Sequence, residues 1–297
     1  MPQSHGAAPD KAIKTDSSAT KAARGFKGVF DPHFEGRAIA QRSDQRLFIN
    51  SVEKALRVLY AFDDSRKSLT IASIAESTGL GRSGAQRFVY TLDKLGYLKK
   101  DPETRRYRLS PRVLDFAAAY MRTDELAPLL TEHFSELNHA CGESITLNEP
   151  DDTEIVIVTR LPSRHMFGAH FFSGMRSPIF CTSAGRAILS FLPAAKASDI
   201  IDRSERTAFT KHTITDRDAI LAEMAKVRRD GSCIAEQESV PDTISIGVPI
   251  FDYTRLPVAA VNIFVPLSRW PRARMARELA PAMTRAARAF SRSLGAP

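Results

Sequence analysis

LTIASIAESTGLGRSGAQRFVYTLDKLGYLKKDPETRRYRLS, residues 69–110, is the run from which the rest of the chain can be read. A helix opens at Leu69-Thr70, places Ile71, Ile74 and Ala75 on one face, and closes at Thr78-Gly79. Gly79-Leu80-Gly81 leads at once into another helix, whose Ala85, Phe88, Val89, Leu92 and Leu95 form an apolar stripe at i, i+3, i+4, i+7 spacing. Two helices about a glycine-bearing turn are a weak cue for helix-turn-helix by themselves. Past Gly96, however, Tyr97-Leu98-Lys99-Lys100, Asp101-Pro102-Glu103-Thr104 and Arg105-Arg106-Tyr107-Arg108-Leu109 read strand, turn, strand. A basic hairpin directly after a helix-turn-helix is the wing of a winged helix, and the coincidence of all these features in one short run makes the reading specific.

Opposite the apolar stripe lie Arg82, Ser83, Gln86, Arg87 and Tyr90, brought to one face by i, i+4 spacing. Arginine presents a donor fork to guanine and glutamine can donate to and accept from adenine, whereas Ser and Tyr commonly hold phosphates. A merely solvated face would normally mix both charge signs, yet no Asp or Glu occurs between Leu80 and Leu92. Arg105 and Arg106 on the wing are expected to meet backbone phosphate or the minor groove. The charge of the chain is distributed accordingly. Residues 1–110 hold 20 Lys+Arg against 12 Asp+Glu, and residues 111–297 hold 22 of each, so the whole net charge of +8 resides in the first third. A polyanion-binding head on an electroneutral body is the expectation.

Working outward, Ser51 precedes Val52, Ala55, Leu56, Val58, Leu59 and Phe62, the buried face of a helix over about 51–62. Residues 1–45 show no sustained periodicity and read as a flexible basic arm, a solvated tail before a DNA contact. Downstream, Val113, Leu114, Phe116, Ala117 and Ala118 make a connecting helix over 111–124 whose apolar surface needs cover from a partner chain or from within. A further helix runs from Leu126 to Ala140. Strands are expected at Ser144–Asn148, Glu154–Leu161, His165–Phe171, Ser232–Glu236, Ile244–Phe251 and Val258–Val265, and helices over about 183–192, 196–202, 216–229 and 271–293. This order predicts an α+β domain over 125–297 with a largely antiparallel sheet, following a winged-helix domain over 46–110.

Length and composition exclude other classes. The 297 residues suffice for two domains, and 43% hydrophobic with 26% charged residues is ordinary for a folded, soluble chain. No apolar run approaches the roughly 20 residues needed to span a bilayer, and the N-terminus lacks a secretory apolar core, so the protein is expected in the cytoplasm. Cys141, Cys181 and Cys233 form no disulfide framework or zinc knuckle. G-x-S-x-G, H-E-x-x-H, P-loop and G-x-G-x-x-G motifs are absent, and no cofactor is expected. His133 and His139, six apart on one helix, point to different faces. An enzyme using Cys181 activated by His165 or His170 is the weaker alternative, and a ligand-independent architectural DNA-binding protein leaves the second domain unexplained. Cys181-Thr182-Ser183-Ala184-Gly185-Arg186 opens a helix with small residues whose backbone N–H groups would suit a carboxylate, although Thr182 or Ser183 acting as a plain cap explains the same residues.

The segments SVEKALRVLYAF, residues 69–117, PIFCTSAGRAILSFLP, GSCIAEQE and SIGVPI together resemble the IclR-type bacterial transcriptional regulators over about residues 48–293. AQRFVYTL and FCTSAGRAILSFLP are most similar to the branch controlling aromatic-acid catabolism, that of the protocatechuate, 4-hydroxybenzoate and β-ketoadipate regulators. The resemblance implies a winged-helix head, a linker helix, a GAF-like effector-binding domain, and assembly into dimers or tetramers on double-stranded operator DNA. It also implies an effector pocket at Ser183 and Ala184 in CTSAGRA, Ala235 in GSCIAEQE, Ser245 in ISIGVP, and Asn262 with Phe264 in AAVNIFVP, taking a small carboxylate or aromatic acid. Where many relatives carry an acid this chain has Ala235, with Glu236 and Glu238 beyond it. The family's usual Gly-x-Arg is Asp242-Thr243-Ile244 here, which alters the approach loop.

Overall fold

The computed structural model describes residues 47–63, 65–165 and 171–297; the expected arm over 1–45 lies outside them. Helices α1 (Asn50–Tyr60), α2 (Ile71–Thr78) and α3 (Arg82–Lys94) pack around Val58, Ile74, Ala85, Val89 and Leu92. Thr70 caps α2, its side chain accepting from the Ser73 N–H. Gly79 ends α2 at φ 67°, a left-handed conformation that glycine adopts without penalty, and only Leu80 and Gly81 separate it from α3. The wing is β1 (Leu98–Lys100) paired antiparallel with β2 (Tyr107–Leu109), and Leu69 bridges to Tyr107 to tie it to the helices.

Two expectations for this region change. Val52 and Leu56, placed in the buried face of α1, are more than 45% exposed, and only Val58 of that helix is fully buried. The helix has two apolar faces, and periodicity alone does not say which one the chain itself covers. Leu95 also leaves the core: it is the C-cap of α3 and lies in solvent. The linker begins with a 3-10 turn at Pro111–Val113 and continues as α4 (Leu114–Thr123), none of whose residues is buried. Phe116 stacks on Tyr97 at 5.7 Å, and the Tyr120 hydroxyl donates to Glu149 at 2.6 Å, fastening the helix at both ends.

The second half is a six-stranded sheet in the order β5-β4-β3-β8-β7-β6, with every pair antiparallel. Its strands are β3 (Ile145–Asp151), β4 (Glu154–Leu161), β5 (Arg176–Pro178), β6 (Cys233–Glu236), β7 (Thr243–Phe251) and β8 (Pro257–Pro266). One face carries Leu147, Ile246, Val261 and Ile263 against α5 (Leu126–Cys141) and the C-terminal helix. That helix opens at Arg272–Arg274, passes through a π-helical segment at Met275–Leu279, and continues as α9 (Ala280–Ser293). The other face lies under α6 (Ser183–Leu189), α7 (Ala194–Arg203) and α8 (Arg217–Asp230). The expected strand over His165–Phe171 is not formed at either described end, and residues 166–170 lie outside the described part; β5, three residues long, takes the edge instead. Among the described residues no helix is long and apolar enough to cross a membrane.

Helix α6 sits closer to β7, and to the segment that leads into the helix from β5, than side chains would permit. A Cβ on Gly247 of β7 would lie 2.4 Å from the Ser183 carbonyl oxygen, and one on Gly185 would lie 2.1 Å from that of Ile179. Gly185→Ala should therefore force α6 off its seat and lower stability by about 1–3 kcal/mol, the range for overpacking a core. Thermal unfolding followed by circular dichroism checks this, and an unchanged midpoint would show that the backbone yields at no penalty.

Candidate DNA-reading face and effector site

Helix α3 presents Arg82, Ser83, Gln86, Arg87 and Tyr90 to solvent, all on the side away from Ala85, Val89 and Leu92. The first turn carries no acid and Gly81 supplies no side-chain cap, so the positive end of the helix is open. Neither Arg82 nor Arg87 has a carboxylate partner among the described residues, and Lys94 stands 5.6 Å from the Tyr90 ring, adding a further cation to the face. The two wing arginines differ. Arg105 is exposed at the tip with φ 56°, in a turn shaped by Asp101, whose carboxylate accepts from the N–H groups of Glu103 and Thr104. Arg106, expected with it at backbone phosphate or the minor groove, donates to Ser68 Oγ at 3.1 Å and to the Ser68 carbonyl at 2.8 Å. It braces the wing against the loop before α2. Both precede β2 rather than forming its first residues, because the Asp101 turn absorbs them.

On the α6 side of the sheet, the six residues of the expected effector pocket occupy neighbouring positions. Asn262 pairs in register with Gly247, Phe264 with Ser245, and Ser245 with Ala235, so Phe264, Ser245 and Ala235 form one row across β8, β7 and β6. Asn262 donates from Nδ2 to Ser183 Oγ at 3.2 Å, and its Oδ1 accepts from Thr146 Oγ1 at 2.5 Å. Asn148 Nδ2 in turn donates to Thr146 Oγ1 at 3.0 Å. A polar chain thus runs Asn148, Thr146, Asn262, Ser183 from β3 across β8 to α6, and sequence reasoning missed its β3 half because strands distant in sequence pair there. Ser183 and Ala184 are each 1% exposed, Ala235 and Ser245 are also buried, and Asn262 and Phe264 are half-buried. Phe171 meets Phe264 edge to face at 5.5 Å and packs with Ile157 and Met175 into an apolar wall.

The start of α6 is less open than its small residues suggest. Thr182 caps it, accepting from the Gly185 N–H at 3.2 Å, while Ser183 and Ala184 rest on Gly247. Ser183 therefore offers its hydroxyl to the Asn262 amide rather than serving as the cap. The acids beyond Ala235 are also committed. Glu238, 7% exposed, accepts from both terminal guanidinium nitrogens of the 1% exposed Arg186, at 2.6 and 2.5 Å. The thiol alternative fails on protonation, since burial pushes Cys181 up to about 12 and Cys233 up to about 11, and a neutral buried thiol is inert. His165 lies 3.5 Å from Glu143, and His170 is outside the described residues. His133 contacts Ser293 whereas His139 meets Arg164, so those two share no site.

Two family models match. The IclR helix-turn-helix domain covers residues 51–102, and the C-terminal domain of the bacterial transcriptional regulator IclR covers residues 118–292. The chain belongs to the IclR family. It is a transcriptional regulator built from a helix-turn-helix domain and an α+β effector-binding domain, and the family is not one of enzymes. This IclR-family chain is 28% identical over 242 residues to the Pca regulon regulatory protein of Pseudomonas putida, covering 81% of itself and 82% of that protein. It is 32% identical over 232 residues to the p-hydroxybenzoate hydroxylase transcriptional activator of Acinetobacter baylyi, covering 75% and 83%. Among solved structures, a chain from Rhodococcus sp. RHA1 assigned as a transcriptional regulator aligns with TM-score 0.72 and 31% identity, over 84% of this chain and 99% of that one.

Proposed function

We propose that this IclR-family regulator controls a catabolic operon, acts in the cytoplasm as a dimer or tetramer on double-stranded operator DNA, and responds to an aromatic acid or its ring-cleavage product. Residues 46–110 bind DNA, 111–124 link, and 125–297 sense the effector. The observation that carries the reading is the half-buried Asn262, held by Thr146 and Ser183 beside the rings of Phe264 and Phe171. A fixed amide next to an apolar wall is what a carboxylate on a flat ring requires, a few placed polar groups in a largely apolar setting. The names of the Pseudomonas putida and Acinetobacter baylyi relatives favour the same ligand class. A second copy of the chain would cover the exposed Val52, Leu56, Leu114 and Phe116. Effector binding then shifts the spacing of two winged helices, and spacing governs whether both enter successive major grooves.

Titration calorimetry of the full chain with 4-hydroxybenzoate and with protocatechuate tests this. One of them should bind stoichiometrically, and Asn262→Ala should weaken it roughly tenfold, the loss of about one good hydrogen bond to a charged group. Operator affinity without ligand should stay unchanged. Binding of neither acid, or equal binding by the variant, removes the site.

A further inference from the structure

The effector domain is electroneutral by count, yet one cavity in it gathers positive charge. It has a volume of about 700 Å³ and is lined by five arginine side chains and a single aspartate, in a domain that holds equal numbers of both signs. Its origin is topological. Strand β6 pairs with β7 only from Ile244 to Gly247, so Val248–Phe251 has no strand neighbour on that side. The ends of α8 and α9 stand beside the gap without closing it, and Phe191 meets Phe251 edge to face at 5.1 Å on its wall.

The arginines are not all explained by packing. Arg228 donates to the Ser190 carbonyl, and Arg229 is 3.0 Å from Asp230, which takes up the only acidic side chain in the lining. Basic residues there suit the negative end of α8. Arg255, Arg288 and Arg292 have no acceptor among the described residues. Arg288 and Arg292 sit at i, i+4 on α9, where two like charges repel, and Arg255 is held in the left-handed region at φ 64°. Three exposed arginines without a partner among the described residues line a cavity large enough for a small molecule, with an aromatic pair beside them.

We propose that this cavity is a second ligand site, separate from the Asn262 site, that binds a compact oligoanion: a molecule carrying two or more phosphate or carboxylate groups. Arginine forks bind either oxyanion through paired charge-assisted hydrogen bonds. The inference does not rest on the aromatic-acid reading.

Calorimetry of the full chain with inorganic pyrophosphate and, separately, citrate distinguishes the two oxyanions. Saturable one-to-one binding of at least one is expected. The double variant R288E/R292E should lose it by about 100-fold, roughly tenfold for each charge-assisted bond. R285E, a charge reversal on the same helix outside the lining, and N262A should both retain it. The proposal is overturned if neither probe binds saturably, if R288E/R292E binds like the parent, or if R285E loses as much as the double variant, which would make the effect one of general surface charge. Displacement of the bound probe by scrambled duplex DNA with matching loss of duplex binding in R288E/R292E would also overturn it, by making the face a nucleic-acid surface.

Discussion

Glu238→Ala should destabilise the effector domain by about 3–5 kcal/mol, the loss expected when one partner of a buried ion pair is removed and the other charge stays behind. Arg186 cannot relax into water: it is 1% exposed, its Nε donates to the Phe180 carbonyl at 2.8 Å, and its other nitrogens point at Glu238. Burial acts against its charge, but the carboxylate outweighs burial and holds the guanidinium above its ordinary value. The Glu238 carboxylate also accepts from the Ile214 N–H at 3.2 Å, and the neighbouring Thr213 hydroxyl donates to the Glu238 backbone carbonyl at 2.5 Å, so the loop before α8 is clipped to the segment after β6 by two groups of the same residue. The loss should appear as a fall in the thermal midpoint of roughly 6–20 °C, at some 2–4 °C per kcal/mol for a domain of this size. Arg186→Met with Glu238→Leu should recover most of it, since a volume-matched apolar pair carries no stranded charge. A single variant within about 1 kcal/mol of the parent would show that water reaches the guanidinium.

That pair also marks where sequence ceases to be legible. Local patterns found the elements: the glycine-punctuated α2–α3 turn, the Asp101 wing turn and the β-branched runs of β7 and β8 each depend on interactions a few residues apart. Arg186 and Glu238 are 52 positions apart, and Thr146 and Asn262 are 116 apart, so nothing in either neighbourhood announces the other. From sequence Glu238 is an acid just beyond Ala235 with no assigned role, whereas the fold makes it the counter-ion of Arg186. Val52 and Leu56 fail differently. Their spacing is correctly helical, but an apolar face is equally well covered by a second chain, and one sequence does not distinguish the two. Four of the six candidate effector positions are neighbours because β6, β7 and β8 are adjacent strands in register, and Ser183 and Ala184 join them because α6 rests on Gly247 of β7.

Arg87→Ala should weaken operator binding by about 1–3 kcal/mol, roughly fivefold to more than a hundredfold, if its fork reads a guanine edge. The side chain is exposed, has no carboxylate partner among the described residues, and shares its face with Arg82, Gln86 and Tyr90, with no acid before Asp93 to compete for it. A base-reading and a phosphate-holding arginine give different signatures. Losing a base contact lowers affinity for the operator but not for scrambled duplex, and leaves the dependence on salt nearly unchanged. Losing a phosphate contact weakens both duplexes alike and makes the slope of log affinity against log salt shallower by about 0.9. Arg106 supplies the contrast: its ties to Ser68 mean that Arg106→Ala acts on wing position, so its effect should follow wing stability more than salt. Fluorescence anisotropy with both duplexes at several ionic strengths separates these outcomes. An Arg87→Ala protein that binds the operator as tightly as the parent at every salt concentration would take α3 out of the major groove, and with it the reading of its uncharged-to-positive face as anything but a solvated surface.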